Sequence, residues 1–172
     1  MDRVKFRSVA VLLVAAVLLS VTAACSGGHS DSRKATDQAR AFLRDWSDGK
    51  LARAAAMTDD PGPAQAAMEK VSQSLGAQKV DFDAGKATMD GSRARVTVTA
   101  HWTVAGLLNP WTYANSLNLT KHSDSWQIHW TPADIHPQLK PGESIEADRP
   151  GWLYITTDSG SFAGRCNGRV AT

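Results

Sequence analysis

The sequence predicts an α+β domain in which N-terminal helices pack on one face of a curved antiparallel sheet. Three observations carry the prediction. From Ala35 to Leu75 apolar residues recur at helical spacing. Beyond Lys79 they recur at every second position, as strands require. Asp90-Gly91 is a hairpin signal between two such alternating runs, which makes consecutive strands antiparallel neighbours.

The elements follow in order. Ala39, Phe42, Leu43 and Trp46 share one face of a first helix, which closes at Asp48-Gly49. A short helical piece spans Leu51 to Met57. Pro61 and Pro63 then open a third helix, Ala64 to Leu75, with Ala67, Met68, Val71 and Leu75 on its apolar side and Gly76 to end it. Val80 and Phe82 begin the first strand. In Arg93 to Val104 every second residue is apolar, from Ala94 through Trp102 to Val104, so this is a long half-buried strand. Asn109-Pro110 breaks the chain, and Trp111, Tyr113, Asn115, Leu117 and Leu119 take up the alternation again. After the polar turn at His122-Ser123-Asp124, a closing strand runs from Ser125 to about Thr131 and carries Trp126, Ile128 and Trp130 on one face. No internal repeat is present.

The first residues have a different purpose. Arg3, Lys5 and Arg7 precede an apolar run, Val9 to Leu19, that is short for a membrane span, a signal-peptide pattern covering residues 1–24. The run ends in V-T-A-A-C, which resembles a bacterial lipobox, so Cys25 is the candidate lipidation site and residues 25–34 are expected to be a flexible tether. The domain would then lie at the extracytoplasmic face of the cell membrane, held by a lipid anchor. Without modification of Cys25 the same segment would secrete it. Removing residues 1–24 takes three basic side chains and one acidic one with it, which leaves 16 of each sign. A balanced charge lacks the basic footprint of nucleic-acid binding. The other cysteine, Cys166, has no partner once Cys25 is lipidated, so neither a disulfide framework nor a zinc motif is expected.

Two runs carry a resemblance, W-T-Y-A-N-S-L-N-L-T-K from Trp111 and W-Q-I-H-W-T-P-A-D-I-H-P-Q-L-K-P-G-E from Trp126. The order of helices, hairpin and meander is similar to the nuclear transport factor 2-like cone. The spaced positions Trp126, Ile128, Trp130, Pro132, Ile135, His136, Pro137, Leu139 and Gly142 resemble the MecA-type N-terminal domain of class B penicillin-binding proteins. The resemblance covers roughly Thr36 to Arg149. It implies a membrane-tethered accessory domain without catalytic machinery, associated with peptidoglycan synthesis and the response to β-lactam antibiotics. It also implies a cell-wall transpeptidase or another cell-envelope protein as partner. In that family the segment leads into a transpeptidase domain. Here the pattern stops after Gly151, so a truncated or stand-alone copy with a loose, disordered tail over residues 150–172 is expected.

Several residue sets invite chemistry. Ser47-Asp48-Gly49-Lys50, Ser116-Leu117-Asn118 and Lys140-Pro141-Gly142 approximate the S-x-x-K, S-x-N and K-T-G motifs of serine transpeptidases. Gly49 marks a helix end where that nucleophile needs a helix start, and Pro141 offers neither hydroxyl nor N–H, so no catalytic residue is assigned. His122, His129 and His136 are spaced by seven, with His101 upstream. They fall on a turn, a strand and a Pro-flanked loop, where that spacing aligns nothing, so no metal site is assigned and His136 is expected to brace its loop by a hydrogen bond. A cone can also enclose a small molecule. Asp81, Asp83 or Asp134 would then be a general base and Tyr113 a donor, making a small-molecule-binding or isomerase-like protein the alternative. No cofactor is expected. Trp102, Trp111, Trp126 and Trp130 lie in the apolar phase of their strands and are expected in the core rather than on a glycan-stacking face.

Overall fold

The computed structural model describes residues 26–105, 107–149, 152–157 and 162–165. Cys25, Cys166 and the signal segment 1–24 lie outside the described residues. The chain divides at Asp31/Ser32 into two compact units. In the first, Ser26 to Asp31 are helical. The second holds the rest of the described chain.

Three helices precede the strands, α1 (Ser26–Ser47), α2 (Leu51–Ala55) and α3 (Pro61–Ser74). The flexible tether expected over residues 25–34 is corrected for 26–34, which belong to α1. Extending an existing helix adds a hydrogen bond for each residue ordered, and this outweighs the loose Ser/Gly composition. Pro61 is the first residue of α3, three positions before the start inferred from Ala64, because a proline at N1 has no amide to waste. Gly49 and Gly76 end α1 and α3 with positive φ, +70° and +56°.

Four strands form one antiparallel sheet in sequence order, β1 (Ala77–Asp90), β2 (Arg93–Val104), β3 (Trp111–His122) and β4 (Ser125–Ile128). β1 pairs Asp90 with Arg93 of β2 across a two-residue turn at Gly91-Ser92, where Gly91 has φ +57°. The sheet is strongly curled, and the three helices pack on it, as the nuclear transport factor 2-like expectation requires. A register shift between Ala84 and Ala87 bends β1. α1 takes up the backbone groups released there: Thr36 Oγ1 accepts from the Ala87 N–H (2.9 Å), and Ser32 Oγ donates to the Ala87 carbonyl (3.0 Å). Beside β4, Met57 to Asp59 runs parallel and supplies an outer partner. Ile128 N–H donates to Met57 O (3.0 Å), and Asp59 N–H donates back to Ile128 O (2.9 Å).

The core forms where the apolar phases meet. Trp46 from α1 is 2% exposed and lies against Phe42, Phe82 and Trp102, at centroid distances of 5.7, 5.0 and 6.1 Å. Trp102 is fully buried, and Trp111, Trp126 and Trp130 are buried as their phase predicts. Full burial of one such side chain contributes roughly 2–3 kcal/mol of transfer free energy.

A second antiparallel sheet follows, β5 (Glu143–Arg149), β6 (Trp152–Thr157) and β7 (Phe162–Arg165), with β5 against α3. The loose tail expected over residues 150–172 is therefore corrected for 152–157 and 162–165. Trp-Leu-Tyr-Ile-Thr-Thr is rich in aromatic and β-branched residues, and Leu153 and Ile155 bury the face that Ile145 offers from β5.

Candidate functional site

Beyond Ile128 the chain leaves the sheet, and its backbone donors show how. His129 N–H still donates to Asn118 O of β3 (2.8 Å). The next two amides are taken by carboxylates: Trp130 N–H donates to Asp59 Oδ1 (2.8 Å) and Thr131 N–H to Asp134 Oδ2 (2.6 Å). That is why β4 ends at Ile128 and not at Thr131, since a residue whose amide is capped by a side chain has left the ladder. Asp59 Oδ2 lies 2.6 Å from His129 Nδ1. Thr131 and Asp134 form a reciprocal capping box around a single 3-10 turn, Pro132–Asp134, with Pro132 at the position where an amide is not needed.

β3 holds that turn through its peptide oxygens. Asn115 Nδ2 donates to the carbonyls of Ala133 and Asp134, both at 2.9 Å. The Tyr113 hydroxyl donates to Ile135 O and accepts from Trp102 Nε1–H at 2.9 Å. The indole N–H groups of Trp46 and Trp126 reach no acceptor among the described residues, whereas that of Trp102 ties the core to the exit through Tyr113. His136 completes the corner. Its ring stacks on Trp111 (5.3 Å, 23°) and meets Tyr113 edge-on (4.5 Å), while Nδ1 accepts from Gln138 N–H (3.3 Å). The expected brace is thus a hydrogen bond within the loop together with aromatic stacking.

The corner contains two displaced titrations. Burial pushes the Asp134 carboxyl up to about 7, although the amide and hydroxyl of Thr131 and the His129 charge oppose the shift. Burial also lowers His136 to about 4, so its ring is neutral at neutral pH and Nδ1 can act as an acceptor. For Asp59 burial would raise the value, but the bonds from His129 and the Trp130 amide outweigh it and leave the carboxyl below its ordinary range.

The family-pattern residues divide by task. Trp126, Trp130, Ile135 and Leu139 are buried, while Pro132 starts the turn and the exposed Pro137 follows the locked histidine. Gly142 adopts φ +80°, a conformation that favours glycine. Trp130, Ile135 and Leu139 also face a cleft of about 300 Å³ that α3 and β5 close from the other side.

The transpeptidase-like triplets stay on separate elements. Ser47 ends α1, and the Lys50 ammonium is bound to Asp48 (2.8 Å). Ser116 and Asn118 are in mid-β3, where Asn118 Oδ1 accepts from Arg95 Nε (3.3 Å), and Lys140 is exposed. The histidines have separate partners as well. His101 bridges Asp83 and Thr112, each at 3.1 Å, His129 binds Asp59, and His122 is exposed at the end of β3. Among the described residues no three His, Cys, Asp or Glu side chains converge as a metal site. Asp81 and Asp83 face solvent, the latter 85% exposed, and Asp134 is consumed by its cap. Sequence reasoning missed Asp59 and Asn115. Asp59 acts on a residue 71 positions away, and an Asn in a strand carries no local sign of the carbonyls it will reach.

Compared with protein families, residues 34–143 match the model of the NTF2-like N-terminal transpeptidase domain. No curated protein matches the chain.

Proposed function

We propose, because the chain belongs to the NTF2-like N-terminal transpeptidase domain family, that it is a non-catalytic accessory domain held at the outer face of the cell membrane by a lipid on Cys25. Its task in this reading is to space and orient a cell-wall transpeptidase, acting in peptidoglycan synthesis and the response to β-lactams. The carrying observation is the exit corner. The backbone groups of Trp130, Thr131, Ala133, Asp134 and Ile135 are held by Asp59, Asp134, Asn115 and Tyr113, and His136 is stacked on Trp111, which fixes the direction in which the chain leaves the cone. Groups so committed suit a rigid connector and are not poised as base or nucleophile for a substrate.

Two measurements test the reading. Cells given labelled palmitate should incorporate it into the chain, and Cys25→Ser should abolish both the label and recovery in the membrane fraction. Labelling of the variant equal to that of the parent refutes the anchor. Fluorescent penicillin should leave the purified chain unlabelled. Covalent label that Ser47→Ala removes refutes the non-catalytic assignment.

A further inference from the structure

Asp59 lies between α2 and α3 and Asp134 in the turn after β4, yet they grip neighbouring amides, those of Trp130 and Thr131. Two carboxylates therefore flank one peptide link at the point where the chain leaves the sheet. His129, one residue upstream, pairs with Asp59 at 2.6 Å. We propose that residues 129–134 form a proton-sensitive latch, in which the protonation of the buried Asp134 carboxyl that caps Thr131 sets how firmly the exit is held to the cone.

The geometry explains the direction. Asp134 is 4% exposed and accepts from Thr131 N–H and, at 3.4 Å, from the Thr131 hydroxyl. Both bonds fall on Oδ2, so a carboxyl protonated on Oδ1 keeps Oδ2 as the acceptor, and the neutral form preserves the cap. The ionised form is poorly solvated there and is repelled by ionised Asp59. Opening the turn hydrates it. The latch is tight in acid and loosens as Asp134 ionises. The surrounding titratable and charged groups among the described residues are Asp59 ahead of α3, His129 after β4, Tyr113 on β3, His136 in the exit itself, and Lys70 of α3 and Glu143 of β5, which line the cleft beside Pro132. What the latch controls, the orientation of whatever the exit carries, rests on the accessory-domain reading. The latch itself does not, so it can fail or hold independently.

The test is amide hydrogen exchange at Thr131, read by NMR on the whole chain carrying His136→Phe, which removes the titration of that ring while keeping an aromatic against Trp111. After correction for intrinsic exchange, protection should fall by about tenfold per pH unit from about pH 4 to about pH 7 and then level, at most roughly a thousandfold in total. Amides in mid-β2 report that the fold persists. Asp134→Asn, which keeps the acceptor, should make the profile flat. Asp59→Asn should move the levelling point to lower pH and His129→Gln to higher pH. A flat profile in the His136→Phe chain overturns the proposal. So does a slope that persists in Asp134→Asn, or a shift of the Asp59 and His129 variants in the same direction. If Asp134→Asn does not fold, the opposed shifts of the other two decide.

Discussion

Acidification should expose two buried groups that work against each other in global stability. Asp134 has a folded value of about 7 against an ordinary 3.8, so its favourable contribution is complete below about pH 4 and is lost as pH rises through about 7. His136 has a folded value of about 4 against an ordinary 6.5, so its contribution is complete above about pH 6.5 and is lost as pH falls through about 4. At about 1.4 kcal/mol per unit, moving from about pH 7 to about pH 4.5 gains about 3 kcal/mol at Asp134 and loses about 3 kcal/mol at His136. In the parent protein the two nearly cancel. Urea unfolding at both pH values, on the parent, His136→Phe, Asp134→Asn and the double variant, separates them. His136→Phe should become more stable on acidification by about 3 kcal/mol relative to the parent, and Asp134→Asn less stable by a similar amount. The double variant should return to the parent's dependence. Other carboxylates contribute alike to all four, so the differences isolate these two sites. Single variants whose pH dependence matches the parent's would show that neither group is held in its buried, shifted state, and the account of the exit corner would fall with them.

Two further substitutions probe other joints of the fold. Tyr113→Phe leaves the buried Trp102 Nε1–H without its acceptor and Ile135 O without that donor, and should cost about 2 kcal/mol in urea unfolding. A loss below about 0.5 kcal/mol would mean that the relay does not join core to exit. Gly85→Ala would place a Cβ 2.6 Å from Thr97 Oγ1 and should destabilise by about 1–3 kcal/mol. Adding Thr97→Ala should recover that loss. A double variant no more stable than Gly85→Ala alone would argue against this contact.

The sequence by itself determined the elements and their faces, because those depend on local periodicity. Ala39, Phe42 and Trp46 had to share a helix face, and Ala94 through Val104 had to bury alternate residues, whatever the surroundings. Glycines marked the turns at residues 49, 76 and 91 for a similarly local reason, positive φ. The Ile-His-Pro run was legible as an exit through its pattern. Its mechanism was not, since it depends on Asp59 meeting an amide 71 residues later and on Asn115 reaching the carbonyls of Ala133 and Asp134. The second sheet also escaped the sequence reading. Trp152 to Thr157 is a short, Gly-flanked run that gains its strand only when β5 offers Ile145 as a facing surface. Tertiary structure alone decided the charge states of the corner. A carboxyl and an imidazole two residues apart look ordinary in the chain, and only burial, which no residue confers on itself, moves one up and the other down.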